Sequence, residues 1–268
     1  MSSYNLDTTI SIVIQARFNS KRLPGKVLKK IDGQEILSIL INRLKNYSFF
    51  NNLILATTEH RADDQIANLG KKHKISIFRG SENDVLKRFV DAIKNDNSNL
   101  IVRITADCPF IDPEIILKAI KKLKEEKLDY VSNCFPPSFP DGMDIEVFTK
   151  DSLLLADSLA TSQADREHVT KWIRENKQFK TGVIINEVNL SNIRLTIDYP
   201  EDILVAEKIV THFKENMNFK WSDLSSFINL NRDIFLLNKQ YIRNEGSNKL
   251  SGQKLWDRAK KIIPGGNM

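Results

Sequence analysis

The sequence predicts an α/β fold, in which a mostly parallel sheet is flanked by helices. Short runs rich in Ile, Val and Leu alternate with longer stretches that carry apolar residues at helical spacing. The short runs are apolar on both faces, which is typical of strands buried in a parallel sheet with helical cover. In such sheets a ligand binds beyond the carboxyl ends of the strands, so we expect functional residues there.

The predicted elements follow one another regularly along the first half of the chain. Strands are predicted at "SIVIQA", "NLILATT", "ISIF", "NLIVRITAD" and "LDYVSN", between residues 11 and 133. Helices are predicted between them, at residues 36–47, 63–73, 84–95 and 113–127. Asp112 and Pro113 mark the start of the last helix, because Asp caps helices and Pro is tolerated at the first helical position.

The pattern loosens after residue 133. The stretch "CFPPSFPDGMDIEVFTKD" contains three of the chain's eight prolines and one glycine. We interpret it as a substrate-facing excursion that contains a strand, "DIEVF". Regular alternation then resumes with helices predicted in "DREHVTKWIRENK" and "PEDILVAEKIVTHF" and a sheet strand in "IRLTID". From about residue 231 the sequence becomes polar and less periodic.

Composition limits the class of protein. The chain has 268 residues, of which 41% are hydrophobic and 28% charged, so a globular protein is expected. Its net charge of +6 is spread along the chain, which suits an anionic small substrate better than nucleic acid. The two cysteines form no Cys-x-x-Cys pair, which excludes a zinc ribbon. Without a signal peptide or a long apolar run, we expect a cytoplasmic protein with no membrane partner.

A run of positive charge follows the first predicted strand. "ARFNSKRLPGKVLKK" combines Arg and Lys with Asn, Ser, Pro and Gly, the residues of a turn whose backbone N–H groups can point at an anion. Arginine gives multidentate contacts to phosphate oxygens, and Lys26 would supply a point charge. The spacing matches neither a Walker loop nor Gly-x-Gly-x-x-Gly. The segment therefore indicates phosphate binding, although solvated surface charge is the simpler alternative.

Two carboxylates occupy similar positions after predicted strands. Asp107 ends the strand in "VRITADCPFIDP", and Asp198 ends the one in "IRLTIDYPEDI". Two such aspartates can converge on one hard cation, and Mg²⁺ accepts few protein carboxylates together with substrate phosphates. The alternative is that each Asp caps the following helix, which is the role we expect for Asp112.

Together these motifs resemble a known family. "IVIQARFNSKRLPGKVL", "LATTEHRADDQI", "FRGSENDVLKRF", "VRITADCPFIDP", "PDGMDIEVF", "REHVT" and "LTIDYPEDI" look like the cytidylyltransferases grouped with spore-coat polysaccharide synthesis protein F, relatives of CMP-Kdo synthetase. The resemblance runs from residue 11 to about 213. It implies a Rossmann-like sheet of the nucleotide-diphospho-sugar transferase type, CTP as donor, Mg²⁺ as cofactor, and transfer of CMP to an acceptor with release of pyrophosphate.

The resemblance also implies roles for individual residues. It places on the nucleotide Arg17, Ser20, Arg22, Lys26, Asp84, Arg88 and Asp107. It assigns metal binding to Asp107 and Asp198. Together with Arg17 and Lys26, these two residues would form the catalytic set. It places on the acceptor Asp144, Glu146, Arg166 and His168. The acceptor would be a small acidic sugar, phosphate or phosphonate used in surface polysaccharide or related glycan biosynthesis.

Several alternatives stay open at the level of sequence. A glycosyltransferase on the same fold would consume a nucleotide sugar, although such enzymes usually carry Asp-x-Asp where this chain has Asp-Cys-Pro. A non-catalytic nucleotide-binding module would bind CTP without releasing pyrophosphate. His168 would act as a base for a hydroxyl acceptor, bind the acceptor, or simply lie at a helix surface. Cys108 is expected to be a small buried residue.

The C-terminal segment carries its own prediction. Residues 1–230 are assigned to the cytidylyltransferase domain, and 231–268 to a connector and helical tail. "KLWDRAKKIIPGG" resembles the opening of class III, pyridoxal-phosphate-dependent aminotransferases. We therefore expect this chain to be the front part of a longer bifunctional polypeptide, in which it is fused to such a domain. The other partner that we consider is a second copy of the chain, which would form a homodimer.

Overall fold

The computed structural model of the protein describes residues 8–243. Within this range the strands are β1 (Ile10–Gln15), β2 (Lys30–Ile31), β3 (Gln34–Glu35), β4 (Asn52–Thr58), β5 (Ser76–Gly80), β6 (Leu100–Thr105), β7 (Tyr130–Ser132), β8 (Glu146–Thr149) and β9 (Thr181–Val183). The α-helices in the same range are α1 (Ile36–Lys45), α2 (Asp64–Lys72), α3 (Val85–Ala92), α4 (Pro113–Glu125), α5 (Lys150–Leu159), α6 (Gln163–Glu167), α7 (Lys171–Glu175), α8 (Pro200–His212) and α9 (Trp221–Leu230).

The main sheet of the described residues has seven strands in the order β5-β4-β1-β6-β8-β7-β9. Its strands run parallel except β8, which is antiparallel to both β6 and β7. The fold class predicted from the sequence is therefore confirmed. Strands β2 and β3 form a separate two-stranded hairpin beside the sheet.

Apolar side chains cover both faces of this sheet. On one face Ile12 and Ile14 of β1 pack in a large cluster to which α1, α4 and α8 contribute. On the other face Val13 packs in a second cluster, which α3, α5 and α7 complete. Successive residues of β1 therefore enter opposite cores, which explains the unbroken apolar run in the sequence.

The strand order reverses beside β1. From β1 the chain builds outward through β4 to β5, and then returns to place β6 on the other side of β1. Crossovers that leave in opposite directions open a crevice at the carboxyl ends of the two central strands. This crevice lies between the segments that follow Gln15 and Thr105.

Two predicted elements were wrong. The segment "IRLTID" is not a strand of the sheet: among its residues Arg194 forms one isolated bridge, with Asp141. Its N–H groups donate to loop carbonyls instead, as Ile197 does to Asp107 O at 2.9 Å. The single helix predicted in "DREHVTKWIRENK" is two short helices, α6 and α7, separated at Val169, whose φ is +54°.

Residues 231–243 pack against the sheet domain. A 3₁₀ turn, Arg232–Leu236, places Phe235 in the apolar core, and the Asn238 side chain is buried beyond it. The tail that resembles an aminotransferase opening lies outside the described residues, as does the rest of the predicted connector. No helix among residues 8–243 has the length and apolar character that crossing a membrane requires.

Candidate active site

The segment after β1 folds into a compact basic loop, residues 17–25. The Phe18 carbonyl accepts from the N–H of Ser20 at 2.8 Å and from that of Gly25 at 2.9 Å. Gly25 has φ +65°, and a Cβ there would lie 2.9 Å from the Phe18 ring, so glycine is required. This closure leads directly into Lys26, the first residue of a 3₁₀ turn.

A buried carboxylate fixes the basic loop to the sheet. Asp63 Oδ1 accepts from the Phe18 N–H at 2.6 Å, and its Oδ2 accepts from the Thr58 N–H at 3.0 Å. Thr58 is the last residue of β4, so Asp63 joins the loop after one strand to the end of its neighbour. We did not predict this residue, because Phe18 is distant in sequence and "RADDQI" has the pattern of a helix start.

A lysine joins the two aspartates predicted to bind a metal. The Lys26 ammonium donates to Asp107 and, at 2.6 Å, to Asp198 Oδ1. Lys26 and Asp198 are buried. Burial alone would raise the pKa of Asp107, but Lys26 lowers it to about 2. Burial likewise opposes the charge of Lys26, and the two carboxylates more than offset it, so the Lys26 pKa is raised.

Asp198 also meets two arginines. Its Oδ2 lies 2.6 Å from a guanidinium nitrogen of Arg22 and 3.0 Å from one of Arg194. With Lys26, three cations therefore surround a single carboxylate. Arg22 and Lys26 come from the basic loop and the turn that follows it, so this cluster ties the loop to the segment before α8. We call Lys26, Asp107, Asp198 and Arg22 the charged centre.

A further carboxylate holds Asp198 in place. Asp202 accepts from the backbone N–H of Asp198 at 2.8 Å and of Tyr199 at 2.9 Å, and from Arg194 Nε at 2.9 Å. Arg194 reaches Asp141 as well, at 2.7 Å. Neither Arg194 nor Asp202 was a predicted site residue. The signal in the sequence was a lone arginine inside an otherwise apolar stretch.

The loop after β7 approaches this segment closely. The Asp141 carbonyl accepts from the N–H of Leu195 at 2.6 Å and of Thr196 at 3.0 Å. Gly142 has φ +101°, and a Cβ on it would lie 2.2 Å from the Thr196 nitrogen. The proline-rich excursion therefore contacts the backbone beside Asp198 at a point where only glycine fits.

Two adjoining cavities open on the charged centre. The basic-loop cavity has a volume of about 530 Å³, and its lining is Gln15, Ala16, Arg17, Ser20, Lys21, Arg22, Lys26, Val27, Thr105, Ala106, Asp107, Glu167 and Asp198. The central cavity has a volume of about 730 Å³, and its lining includes Arg22, Arg103, Thr105, Asp107, Cys134, Phe135, Asp141, Asp144, Glu146, His168, Lys171, Arg174, Arg194, Asp198, Ile242 and Arg243. They share Arg22, Thr105, Asp107 and Asp198.

Glu146 lies in a buried network on the wall of the central cavity. Its carboxylate accepts from Arg103 of β6, from the Tyr130 hydroxyl at 2.7 Å and from the Thr170 hydroxyl. Burial opposes its charge, yet Arg103 and these hydroxyls lower the Glu146 pKa. Glu146 is thus held rigidly by three elements of the fold.

Asp144 faces the same cavity in a different electrostatic setting. Burial raises its pKa to about 7, against the attraction of the Arg243 guanidinium, which donates to its Oδ1. Asp141 and Glu146 add negative charge nearby and favour the protonated form as well. Asp144 therefore changes its charge near neutral pH.

Three predicted site residues lie elsewhere. Asp84 caps α3 and pairs with Arg166 at 2.7 Å, and Arg166 also binds Asp157 at 2.6 Å. Arg88 is buried behind β5 and donates to the Ser81 carbonyl at 2.5 Å, while burial lowers its pKa to about 10. None of Asp84, Arg88 and Arg166 is among the described residues that line the two cavities. Their contacts join α3 to α5 and α6.

The remaining predicted residues come together. Arg17, Ser20, Arg22 and Lys26 line the basic-loop cavity, whereas Asp144, Glu146 and His168 line the central one. Cys108 is a buried free thiol whose pKa burial raises, consistent with a packing role. The arrangement can hold a polyanion beside the basic loop and a second molecule beside Asp144, with the charged centre between them.

Known proteins resemble this chain over most of its length. The sequence model of the cytidylyltransferase family matches residues 11–238. The chain is 32% identical over 232 residues to the spore coat polysaccharide biosynthesis protein SpsF of Bacillus subtilis, which covers 84% of this chain and 95% of that protein.

Solved structures extend the comparison. The fold is similar to that of a cytidylyltransferase from Leptospira borgpetersenii, with a TM-score of 0.82 and 37% identity over 88% of this chain and 99% of that one. It also resembles CMP:2-keto-3-deoxy-manno-octonic acid synthetase complexed with CTP, with a TM-score of 0.57 over 76% of this chain and 99% of that one. At 16% identity, that likeness concerns the fold alone. The match over most of the chain shows that this protein is a nucleotidyltransferase and belongs to the cytidylyltransferase family.

Proposed function

We propose that the protein transfers CMP from CTP to a small anionic acceptor and releases pyrophosphate, in polysaccharide or related glycan biosynthesis. The observation that carries this proposal is the charged centre shared by two cavities, one lined by the basic loop and the other by Asp144, Glu146 and His168. A reaction between two bound molecules needs such a junction, because both reacting atoms must meet in one place.

The basic-loop cavity suits the triphosphate. Arg17 and Lys21 line it from the loop, and Arg17 is tethered only loosely, with its guanidinium 3.9 Å from Glu82. Guanidinium and ammonium groups stabilise the charge that accumulates on pyrophosphate as it departs. An acceptor oxygen forms the new bond to the α-phosphorus while the bond from that phosphorus to the bridging oxygen of pyrophosphate breaks.

The carboxylates of the charged centre fit a magnesium ion. Asp107 and Asp198 already direct one oxygen each at a single cation, the Lys26 ammonium. Mg²⁺ prefers one or two protein carboxylates, with substrate phosphates completing its coordination. When bound, the ion would neutralise phosphate charge at the reacting phosphorus.

The central cavity would hold the acceptor. A carboxylate or phosphate acceptor can attack phosphorus without losing a proton, whereas a hydroxyl acceptor needs a base, for which His168 is the candidate. Lys171 and Arg174 line this cavity, where their positive charge, shared with Glu175, would attract an acidic sugar, a phosphate or a phosphonate. The Bacillus relative is named as a polysaccharide biosynthesis protein, which supports the glycan context.

Pyrophosphate release provides the test. The protein, Mg²⁺ and CTP would be combined with a panel of sugar acids, sugar phosphates and phosphonates, and UTP and ATP would replace CTP in parallel. We expect release that depends on CTP, on Mg²⁺ and on one acceptor class. Asp107→Asn should reduce turnover by about 10²-fold or more, since a charge-neutralising group is lost from the reacting centre.

The outcome that contradicts the proposal is specific. Equal activity with UTP or ATP would remove the cytosine preference. Binding of CTP and Mg²⁺ without pyrophosphate release from any acceptor would indicate a non-catalytic nucleotide-binding role. Normal turnover of Asp107→Asn would remove the metal assignment.

A further inference from the structure

A shorter part of the C-terminal segment, Asn238 to Arg243, extends to the central cavity. The Asn238 amide donates to the Arg194 carbonyl at 3.2 Å and to Asp202 at 2.8 Å. The family match ends at residue 238, so most of this segment lies beyond the residues that the family model matches. Even so, Ile242 and Arg243 line the cavity that we assign to the acceptor.

An aromatic pair anchors the segment beside the charged centre. The Tyr241 ring stacks on that of Tyr199 with 3.7 Å between centroids and 4° between planes. The Tyr241 hydroxyl donates to Glu201 at 2.9 Å, at the start of α8. Because Tyr199 directly follows Asp198, these contacts hold the segment to the same loop that carries the catalytic carboxylate.

Arg243 is the charged end of this anchored segment. One guanidinium nitrogen donates to Asp144 and the other to the Phe139 carbonyl at 3.1 Å. The Arg243 side chain is 12% exposed and that of Asp144 is 30% exposed, so the pair is partly shielded from bulk water. A shielded charge pair is stronger and better defined in geometry than one at the surface.

The other charged and titratable groups near Asp144 do not replace Arg243. From its own loop and β8 come Asp141 and Glu146, both of which oppose its ionisation. Arg194 is committed to three carboxylates, and Arg103 to Glu146. Burial raises the pKa values of the Cys108 and Cys134 thiols, and the negative charge of Asp144 adds to that effect.

We propose that Arg243 is a positioning residue for the acceptor: it favours the ionised form of Asp144 and fixes the orientation of that side chain, so that Asp144 can accept a hydrogen bond from an acceptor hydroxyl. The inference rests on the proposed function in one respect, that the acceptor occupies the central cavity. The inference assigns an acceptor that carries at least one hydroxyl group near Asp144, because an ionised carboxylate that already faces Arg243 binds a hydroxyl donor better than a second anion. The C-terminal segment thereby contributes to acceptor selection.

The test uses the full chain and three variants. Arg243→Gln removes the charge, Arg243→Lys keeps it, and Arg232→Gln is the matched control, since Arg232 contacts Asn229 and does not line either cavity. The ionisation of Asp144 would be followed by ¹³C NMR of labelled aspartate carboxyls, assigned with Asp144→Asn. In parallel, kcat/KM for acceptor and for CTP would be measured against pH.

We expect the Asp144 pKa in Arg243→Gln to rise by at least about one pH unit, the effect of removing one opposite charge at contact distance. The acid limb of kcat/KM for the acceptor should move up with it, making this constant about tenfold lower at pH 6. Arg243→Lys should restore most of the wild-type profile. Affinity for CTP should not change in any of the three variants.

Two results would overturn the inference. One is an Asp144 pKa that is the same in Arg243→Gln and wild type. The other is a raised pKa with an unmoved acid limb, which would limit Arg243 to a structural contact. If wild type releases no pyrophosphate with any acceptor, the proposed function fails, and the NMR titration alone still decides whether Arg243 controls Asp144.

Discussion

Lys26 occupies the point at which the two parts of the site meet. Its ammonium touches both Asp107 and Asp198, although the sequence assigns it to phosphate and them to a metal. One cation can serve both roles in turn, because an incoming triphosphate and Mg²⁺ would supply new partners for the lysine and the carboxylates. The two salt bridges pair the buried charges of Lys26 and Asp198, and the partly exposed Asp107 shares the same ammonium.

Arg17 offers a direct test of phosphate binding. Its side chain is 45% exposed and its contact with Glu82 is long, so Arg17→Ala should leave the fold intact. We expect CTP to bind about tenfold to a hundredfold more weakly, the effect of losing a charged hydrogen bond, and CMP to bind nearly as before. Isothermal titration would measure both nucleotides, with Arg232→Ala as the matched control. Equal weakening of CTP and CMP would place Arg17 at the ribose or base instead.

The sequence predicted this part of the site because its chemistry is local. Ser20, Arg22 and Lys26 lie within one loop, and turn residues among cations are recognisable without knowledge of the fold. The pairing of Arg103 with Glu146, or of Arg243 with Asp144, could not be predicted in the same way. Each pair joins residues that only the strand order and the path of the C-terminal segment bring together.

At the scale of elements, Asp112 connects two helices. It was predicted to cap α4, and the structure confirms this: Oδ1 accepts from the Glu114 N–H at 2.8 Å. Oδ2 accepts from the N–H of Trp221, the first residue of α9, at 2.5 Å. A single buried carboxylate therefore satisfies donors at the starts of both helices.

Asp112→Ala should lower the free energy of unfolding by about 2 kcal/mol, because two partly buried backbone donors lose their acceptor. Urea unfolding would measure the change, and kcat/KM for CTP should stay close to the wild-type value. Ser162→Ala is the control, since Ser162 caps the short, exposed helix α6 and should matter far less. A loss no larger than that of Ser162→Ala would contradict the double role.

Element prediction succeeded where burial dominates and failed where loops supply the hydrogen bonds. β1 and β6 are buried on both faces, so their apolar runs were unambiguous. The edge strand β9, "TGV", is too short and too exposed to show a pattern. Residues 193–198 carry a strand-like sequence because Leu195 and Ile197 are buried, yet their backbone bonds go to loops.

At the scale of the whole molecule, the site lies where the strand order reverses, and four separate parts of the chain supply it. The basic loop follows β1, Asp107 follows β6, Asp198 precedes α8, and Arg243 arrives from beyond α9. Such a site depends on the complete fold, so stability and activity are linked through its charged residues. Stability and activity are most strongly linked at a carboxylate whose surroundings favour the protonated form but whose function requires the ionised form.

Asp144 is that carboxylate. Its pKa of about 7 lies above the value of 3.8 for a free aspartate, so its ionisation opposes folding. The cost is nearly absent at pH 4 and grows as the pH rises towards 7. Asp144→Asn should therefore be more stable than wild type at pH 8, by about 2–4 kcal/mol, and nearly equal to it at pH 4.

Thermal unfolding at the two pH values would measure this difference, with Asp233→Asn as the control for an exposed carboxylate. Under the proposed acceptor role, the more stable Asp144→Asn should at the same time have a much higher KM for the acceptor, because the amide cannot replace the ionised oxygen facing Arg243. If the difference in stability between Asp144→Asn and wild type is the same at pH 4 and at pH 8, ionisation of Asp144 does not destabilise the fold. If Asp144→Asn is more stable than wild type at pH 8 but has an unchanged KM for the acceptor, Asp144 destabilises the fold without contributing to acceptor binding.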